Sequence, residues 1–251
     1  MADNKYHEMN ACLCKAYEQW FSDLQTHVPE LLTDKYSNPY YSCIPKGWCD
    51  SNVRILIVGE EGFGYWGRGR EEGIQPSNIE QGQTYCWSSL ASYLHYDLEY
   101  ELYPNSEHFS AKRSPFWVRA RKIAERGICT WTNIDLIHKR SGKPRQCVLD
   151  ASEREKLHSI RTKILSKGIE IMKPTHVVFM GWYGISLQHE LPDIFKELYP
   201  GGLGDSSRWK NNAVLITNAD IHYIFTYHPN WGIRHPGYED HVMELLESTL
   251  F

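Results

Sequence analysis

The stretch RILIVGEEGF, residues 54–63, decides the fold class of this chain. Its first half is a short, continuous apolar run that Gly59 ends. Such a run is typical of a strand that is buried on both faces of a parallel sheet. The other strand candidates are residues 128–134, 176–180, 213–217 and 223–227. Several of them are also short apolar runs, so the sequence predicts a buried sheet.

Segments of helical character alternate with these strands. Apolar residues at helical spacing predict a helix over residues 5–25. Ser152 and Glu155 have the spacing of a capping box and predict one long helix that runs to about Met172. The other predicted helices cover residues 84–95, a segment from Ser114-Pro115 to Gly127, and a C-terminal segment after Gly237. This alternation predicts an α/β protein with a mainly parallel sheet.

Composition and charge narrow the functional classes. Residues 1–251 are expected to form one domain, with residues 1–50 as a helical and loop extension of it. The formal net charge is −4, so contact with nucleic acid would need a local basic face. No run of about 18 apolar residues and no signal peptide is visible, which predicts a cytoplasmic protein without membrane contact. The seven cysteines lack a standard zinc spacing, so no metal is expected.

Polar residues follow four of the predicted strands. In open α/β sheets, ligands bind outside the carboxyl ends of the strands. We therefore expect one cleft that holds a carboxylate, an amide, a histidine and aromatic rings. The four segments are residues 59–63, 132–133, 181–184 and 227–232.

The first of these segments does not match a phosphate-binding loop. A dinucleotide fingerprint needs G-x-G-x-x-G that opens a helix directly after the strand, and a P-loop needs G-K-[ST]. Residues 62–67, GFGYWG, have the first glycine spacing but begin three residues beyond Gly59, and no G-K-[ST] is present. Glu60 and Glu61 would also repel a phosphate. The turn is therefore expected to face a neutral or cationic group, or to activate water.

Three motifs, taken in their order along the chain, resemble those of the uracil-DNA glycosylase superfamily. Residues 59–63, GEEGF, resemble the first motif of that family, in which a water-activating residue follows a strand and a glycine. Asn133 matches its base-reading asparagine, and His228-Pro229-Asn230 resembles its His-Pro-Ser motif. The resemblance spans about residues 53–245. It implies a three-layer α/β/α fold around a central, mainly parallel four-stranded sheet.

The resemblance also implies a role for each matching residue. Glu61 would position the attacking water and stabilise the cationic sugar, and His228 would donate to the carbonyl oxygen of the departing base. Asn133 would read the edge of a base that has been flipped out of the duplex. The remaining base-binding candidates are Glu60, Gly62, Phe63 and Trp182.

The segment after His228 would contact the DNA stack in such a family. The candidates for this wedge are Asn230, Trp231, Ile233 and Arg234. Phosphate contacts are expected from the basic residues of two segments. These residues are Arg113, Arg119, Arg121, Lys122, Lys139, Arg140, Lys143 and Arg145.

Departures from the family pattern bear on the substrate. Glu61 stands where many members have Asp or Asn, Gly62 replaces a common Pro, and Asn230 replaces Ser. Ile137-His138 occupy the region where the iron–sulfur branch has a cysteine, so no cluster or other cofactor is expected. The resemblance implies a monomeric, monofunctional enzyme that acts on duplex or single-stranded DNA. Its substrate would be uracil or a modified cytosine, such as glucosylated hydroxymethylcytosine in phage DNA, which would give it a role in antiviral defence.

Plainer interpretations remain open beside this one. Glu61 could be an ordinary acid at a helix start, Asn133 a turn cap and His228 a structural histidine. Trp231 could pack in the core, and the basic run at 112–126 could be a solvated helix face. Two other functional classes also fit the sequence. They are a non-catalytic DNA-binding or nucleotide-binding module on the same fold, and a hydrolase of small nucleosides.

Overall fold

The computed structural model describes most of the chain outside one long central stretch. The described residues are 2–33, 35–37, 42–45, 47–59, 115–139, 148–181, 184–203, 205 and 212–250. The helix predicted at residues 84–95 lies outside them. The helices are α1 (Ala2–His27), α2 (Pro115–Ala124), α3 (Ala151–Ser159), α4 (Ile164–Met172), α5 (Gly184–Glu190), α6 (Pro192–Leu198), α7 (Pro229–Gly232) and α8 (Tyr238–Glu247). The strands are β1 (Arg54–Gly59), β2 (Ile128–Asn133), β3 (His176–Met180), β4 (Val214–Asn218) and β5 (Ile221–Thr226). Two short 3-10 helices cover Pro29–Leu32 and Trp48–Asp50.

The strands form one mixed sheet in the order β2-β1-β3-β5-β4. The first four strands in this order are parallel, and β4 pairs antiparallel with β5. The prediction of an α/β protein with a mainly parallel sheet is confirmed, but the sheet has five strands instead of four. The fifth strand arises because the two-residue turn Ala219-Asp220 folds β4 back on β5, with Ala219 at a φ of 49°.

Alternate residues of the strands point to opposite faces of the sheet and pack into two separate cores. Leu56, Val58 and Phe179 face a large core that includes side chains of α1, α3, α4, α5 and α6. Ile57 and Val178 face a smaller core built with α2 and α8. Helices therefore cover both faces of the sheet, and the architecture has three layers.

The N-terminal helix is an integral part of the larger core. The prediction of a helix over residues 5–25 is confirmed, since α1 contains this range. Leu13, Trp20 and Leu24 on α1 are almost completely buried, and the helix packs against α4. Trp48 Nε1 donates to Met172 O at the end of α4 over 2.8 Å. Residues 1–50 thus help to build one face of the sheet.

The long helix predicted from Ser152 to Met172 is wrong in two respects. The capping box is formed by Asp150 and Glu153, each of whose carboxylates accepts the other's backbone N–H. The helix then breaks at Ile160, which is extended with a ψ of 152°, and α4 begins at Ile164. Glu190 of α5 explains the restart, because its Oε2 accepts the N–H groups of Leu165 and Ser166 over 2.8 and 3.2 Å. A distant carboxylate therefore caps α4, which local sequence cannot reveal.

The described helices give no membrane-spanning segment. No helix in these residue ranges is both long enough and apolar enough to cross a bilayer.

Candidate functional site

The carboxyl ends of the parallel strands meet at one edge of the sheet. Gly59 pairs with Asn133 at the ends of β1 and β2. Val58 pairs with Phe179, and Met180 pairs with Thr226, so all four parallel strands end at the same level. His228 follows β5 by two residues at this edge. Asn133 and His228 therefore lie at the same edge of the sheet, at the ends of strands that β1 and β3 separate.

Asn133 is buried at the end of β2, with 3% of its surface exposed. Its side chain lies directly over Gly59, because a Cβ built on Gly59 would overlap with Asn133 Oδ1. That Cβ would also approach Trp131 Nε1 at 3.3 Å and Phe116 at 3.4 Å. The glycine at the end of β1 thus leaves the space that the asparagine amide occupies, on the α2 side of the sheet.

A small pocket on the α1 side of the sheet also touches Asn133. Its lining includes Tyr17, Ser42, Thr132 and Leu165. The Asn133 amide, however, lies over Gly59 on the opposite face. The pocket and the Asn133 amide therefore lie on opposite faces of the sheet.

His228 is the N-cap of α7 and is held in a defined tautomer. Its Nδ1 accepts the backbone N–H of Asn230 over 3.2 Å. A ring nitrogen that accepts carries no proton, so the neutral ring has its N–H at Nε2 and offers it as a donor. The residue is exposed at the sheet edge, yet the protein atoms around the ring desolvate it and lower its pKa. The nearby Arg119 guanidinium lowers the pKa of His228 further.

Arg119 anchors the segment that carries His228. It is 1% exposed and forms a two-pronged ion pair with Glu239 of α8. Its Nη1 also donates to Thr226 Oγ1 and to the carbonyl of Tyr227, over 2.8 and 2.6 Å. Arg119 is therefore not a phosphate contact, contrary to the sequence prediction. Its buried positive charge is compensated by the Glu239 carboxylate, and its Nη1 is bonded to Thr226 and Tyr227, which directly precede His228.

Tyr238 fixes the same segment from the other side. Its hydroxyl accepts the backbone N–H of Tyr227 over 2.8 Å, and its ring lies 5.8 Å from the Arg119 guanidinium carbon. Burial raises the pKa of Tyr238 to about 12, so its hydroxyl keeps its proton at neutral pH. Helices α2 and α8 together hold the main chain that leads into His228.

The predicted wedge residues divide into packed and exposed members. Trp231 is sandwiched between Tyr227 and His235, with ring centroids 4.6 and 3.7 Å away. Ile233, by contrast, is 70% exposed, the largest fraction among the large apolar side chains in the described ranges. Arg234 and Asn230 are exposed as well. Among these residues, Ile233 is the apolar side chain that projects from the edge of the site.

The structure describes only some of the other basic residues that were predicted to contact phosphates. Lys139 forms ion pairs with Asp150 and Glu153 over 3.2 and 2.6 Å, so its charge is already compensated. Lys122 is exposed on α2, and Arg121 is half-buried there. Several predicted site residues lie outside the described ranges. They are Glu60, Glu61, Gly62, Phe63, Trp182, Arg113, Arg140, Lys143 and Arg145.

A second polar cluster lies just beyond Asn133. Asp135 is 1% exposed and accepts from His158 Nε2, Ser186 Oγ and Arg154 Nε at 2.9, 3.0 and 2.9 Å. These partners belong to α3 and α5, so the carboxylate joins both helices to the end of β2. Sequence reasoning missed this cluster, because its members are far apart in the chain and follow no motif.

Cysteine chemistry finds no support in the described residues. The described ranges contain Cys12, Cys14, Cys43, Cys49 and Cys129, of which Cys12 is exposed and Cys14, Cys43 and Cys129 are buried. Burial raises the pKa of Cys129 far above the range of a reactive thiolate. The one group of three potential metal ligands in the described ranges is His158, His189 and Glu190.

Comparison with known proteins does not assign this chain to a family. No family model matches the chain, and no curated protein matches it.

Proposed function

We propose that this chain is a monofunctional DNA glycosylase that hydrolyses the N-glycosidic bond of a flipped-out pyrimidine and leaves an abasic site. The substrate is a modified cytosine, such as glucosylated hydroxymethylcytosine, or uracil. The observation that carries the proposal is the tautomer of His228. Its Nδ1 accepts from Asn230, so its Nε2–H is a fixed donor at the strand edge where Asn133 also lies.

A neutral histidine donor suits this reaction. When the bond between base and sugar breaks, the electron pair moves to the base, and negative charge builds on a carbonyl oxygen. A preorganised N–H aimed at that oxygen stabilises the transition state more than the ground state. The lowered pKa of His228 keeps the ring neutral at physiological pH, so it donates a hydrogen bond without transferring a proton first.

The strand order places Asn133 and His228 at the ends of different strands along the same sheet edge. β2 and β5 are separated by β1 and β3, which are three interstrand steps or about 14 Å in all. Asn133 ends β2 and His228 follows β5, so both residues lie at the carboxyl edge of the sheet. In the proposal, the amide reads the edge of the pyrimidine ring and the histidine stabilises its oxygen.

The exposed Ile233 supports DNA over a free nucleoside as the substrate. An apolar side chain that projects beside the site can enter the base stack and occupy the space of an extruded base. A nucleoside hydrolase has no use for such a side chain. In the proposal, Glu61 positions the water whose oxygen bonds to the sugar carbon, and this role rests on the sequence motif alone.

The test is an assay for abasic sites. Duplex and single-stranded DNA that contains uracil, hydroxymethylcytosine or glucosylated hydroxymethylcytosine is incubated with the protein and then treated with alkali. The wild type is compared with Glu61→Gln, His228→Asn and the matched control His27→Asn, an exposed histidine at the end of α1. We expect strand breaks with one of these bases. We also expect a rate at least about 100-fold lower in the two site variants and unchanged in the control.

Two other outcomes would contradict the proposal. Salt-sensitive DNA binding that persists in Glu61→Gln, with no strand breaks from any substrate, would indicate a binding module. Hydrolysis of free nucleosides, with a rate that salt does not change, would indicate a nucleoside hydrolase, because phosphate contacts give DNA binding a steep salt dependence.

A further inference from the structure

Two histidines and a glutamate converge where α3 and α5 meet. His158 belongs to α3, while His189 and Glu190 are the last two residues of α5. Each offers one ligand atom, and the three atoms lie within 4.8 Å of one another. The side chains of His158 and Glu190 are 5% and 2% exposed, and that of His189 is 20% exposed. A pair of imidazoles with one carboxylate is a ligand set that zinc binds in proteins.

The distance between His189 and Glu190 is close to that between two ligands of one metal ion. His189 Nδ1 lies 3.5 Å from Glu190 Oε1, and this buried nitrogen makes no hydrogen bond within the described part of the chain. Two ligand atoms that are each about 2.0–2.1 Å from a tetrahedral ion lie roughly 3.3 Å apart. The two atoms therefore have nearly the separation of neighbouring ligands, without the geometry of a hydrogen bond to each other.

The second histidine is oriented as a metal ligand usually is. His158 Nε2 is bonded to Asp135 Oδ1 over 2.9 Å, so Nδ1 is the ring nitrogen that would bind an ion. Metal-binding histidines typically donate their other ring N–H to a carboxylate, and this bond fixes the ring. Asp135 is itself held by Arg154 and Ser186. The orienting carboxylate is thus rigid and almost completely buried.

Glu190 is also fixed before any ion binds. Its Oε2 accepts the N–H groups of Leu165 and Ser166 at the start of α4, so Oε1 remains for a ligand. The cluster holds two carboxylates, Asp135 and Glu190, and one guanidinium, that of Arg154. A buried site with excess negative charge favours a divalent cation.

We propose that His158 Nδ1, His189 Nδ1 and Glu190 Oε1 bind one divalent transition-metal ion, with zinc as the expected ion. Water completes a tetrahedral shell, and Asp135 orients His158 from outside it. The ion joins α3 to α5 and, through Glu190, to the first turn of α4. The proposed ligands are different residues from Asn133 and His228, and the proposal does not depend on the glycosylase activity.

The first test is metal binding by the full chain. Protein dialysed against a chelator is titrated with Zn²⁺ in competition with a chromophoric indicator, and Co²⁺ serves as a spectroscopic substitute. We expect one Zn²⁺ per chain and the visible absorption of tetrahedral Co²⁺. His189→Gln should weaken binding at least about 100-fold, whereas the control His27→Gln should not change it. No stoichiometric binding, or equal binding in His189→Gln, would overturn the proposal.

A second measurement uses only the wild-type chain and so does not depend on a variant that folds. Long-range proton–nitrogen NMR spectra of the imidazoles are recorded while Zn²⁺ is added. The ring nitrogens of His158 and His189 should shift at one equivalent, and those of His27 and His241 should not. The midpoint of thermal unfolding should rise with Zn²⁺ concentration, because an ion that binds only the folded state stabilises it. Shifts that are spread over all histidines would overturn the site.

Discussion

Gly59 has no room for a side chain, because the Asn133 amide occupies the space above it. A methyl group there must displace the amide, Trp131 Nε1 or Phe116. The amide is the group that can turn away most easily, so the predicted damage falls on base recognition before it falls on the fold.

We predict that Gly59→Ala lowers kcat/KM at least about tenfold and lowers the free energy of unfolding by about 1–3 kcal/mol. Kinetics on the cleaved substrate and urea unfolding check this. Gly168→Ala is the matched control, because its methyl would meet only Met172 Cε at 3.3 Å and the helix interior favours alanine. Equal kinetic effects in both variants would contradict the role of Gly59.

At the scale of single elements, the position of α7 depends on the ion pair between Arg119 and Glu239, against which α7 packs. A Cβ on Gly232 would overlap with Glu239 Oε1 and come within 2.8 Å of Glu239 Cδ. Glu239 is the partner of the buried Arg119, so it cannot move without leaving a buried charge uncompensated.

Gly232→Ala should therefore destabilise the protein by about 2–3 kcal/mol and reduce activity through the displaced His228 segment. Urea unfolding gives the first effect, and the abasic-site assay gives the second. Gly201→Ala is the control. Its methyl would meet only the Asp205 side chain, whose exposed bond to the Gly201 N–H would weaken, so the expected change is about 1 kcal/mol or less. A Gly232→Ala protein with wild-type stability would show that Glu239 has a second arrangement.

The segment after α7 leads to a prediction about DNA structure. Ile233→Ala should slow cleavage in fully paired duplex about tenfold and leave cleavage of single-stranded DNA unchanged, because only the duplex needs a wedge against restacking. Parallel assays on the two substrates measure the ratio. Leu203→Ala, at another exposed apolar side chain, which follows α6, should alter neither rate. A loss of equal size on both substrates would argue against a wedge.

Elements with strong local signals could be predicted from the sequence. The buried runs that became β1, β2 and β3 and the periodicity of α1 are signals of this kind. The break between α3 and α4 could not be predicted, since it depends on Glu190, which is distant in sequence. The pairing of β4 with β5 depended on the turn at Ala219, a residue that rarely adopts a positive φ.

At the scale of the whole molecule, two histidines make stability depend on pH. Burial, and then the neighbouring His222, lower the pKa of His176, while burial and Arg119 lower that of His228. Between these depressed values and the ordinary value of about 6.5, the unfolded chain binds more protons than the folded protein. The free energy of unfolding therefore rises with pH through this window and falls as the pH drops.

We expect urea unfolding to give a lower free energy of unfolding at pH 5.5 than at pH 7.5. The slope with pH should be smaller in His176→Gln, whose average stability also falls because its bonds to Thr175 and Thr249 change. The slope, and not the average, is the quantity that tests the prediction. A flat profile in the wild type would contradict the lowered pKa values.

The sequence predicts those parts of the candidate site whose positions follow from the order of strands and helices along the chain. Asn133 and His228 follow parallel strands, so the α/β pattern alone predicted that they share an edge. Arg119 was mistaken for a surface cation because its charge gives no hint of burial. The Asp135 cluster was missed because its members come from β2, α3 and α5 and meet only in three dimensions.

The turn between β4 and β5 has a practical use. Ala219 and Asp220 are exposed at the end of the sheet opposite to Asn133 and His228, since β5 begins there. Exposed hairpin tips tolerate inserted sequence well. A fluorophore or an affinity handle placed at this turn would label or immobilise the protein at one end of the sheet. The opposite edge, with Asn133 and His228, would stay accessible to the proposed DNA substrate.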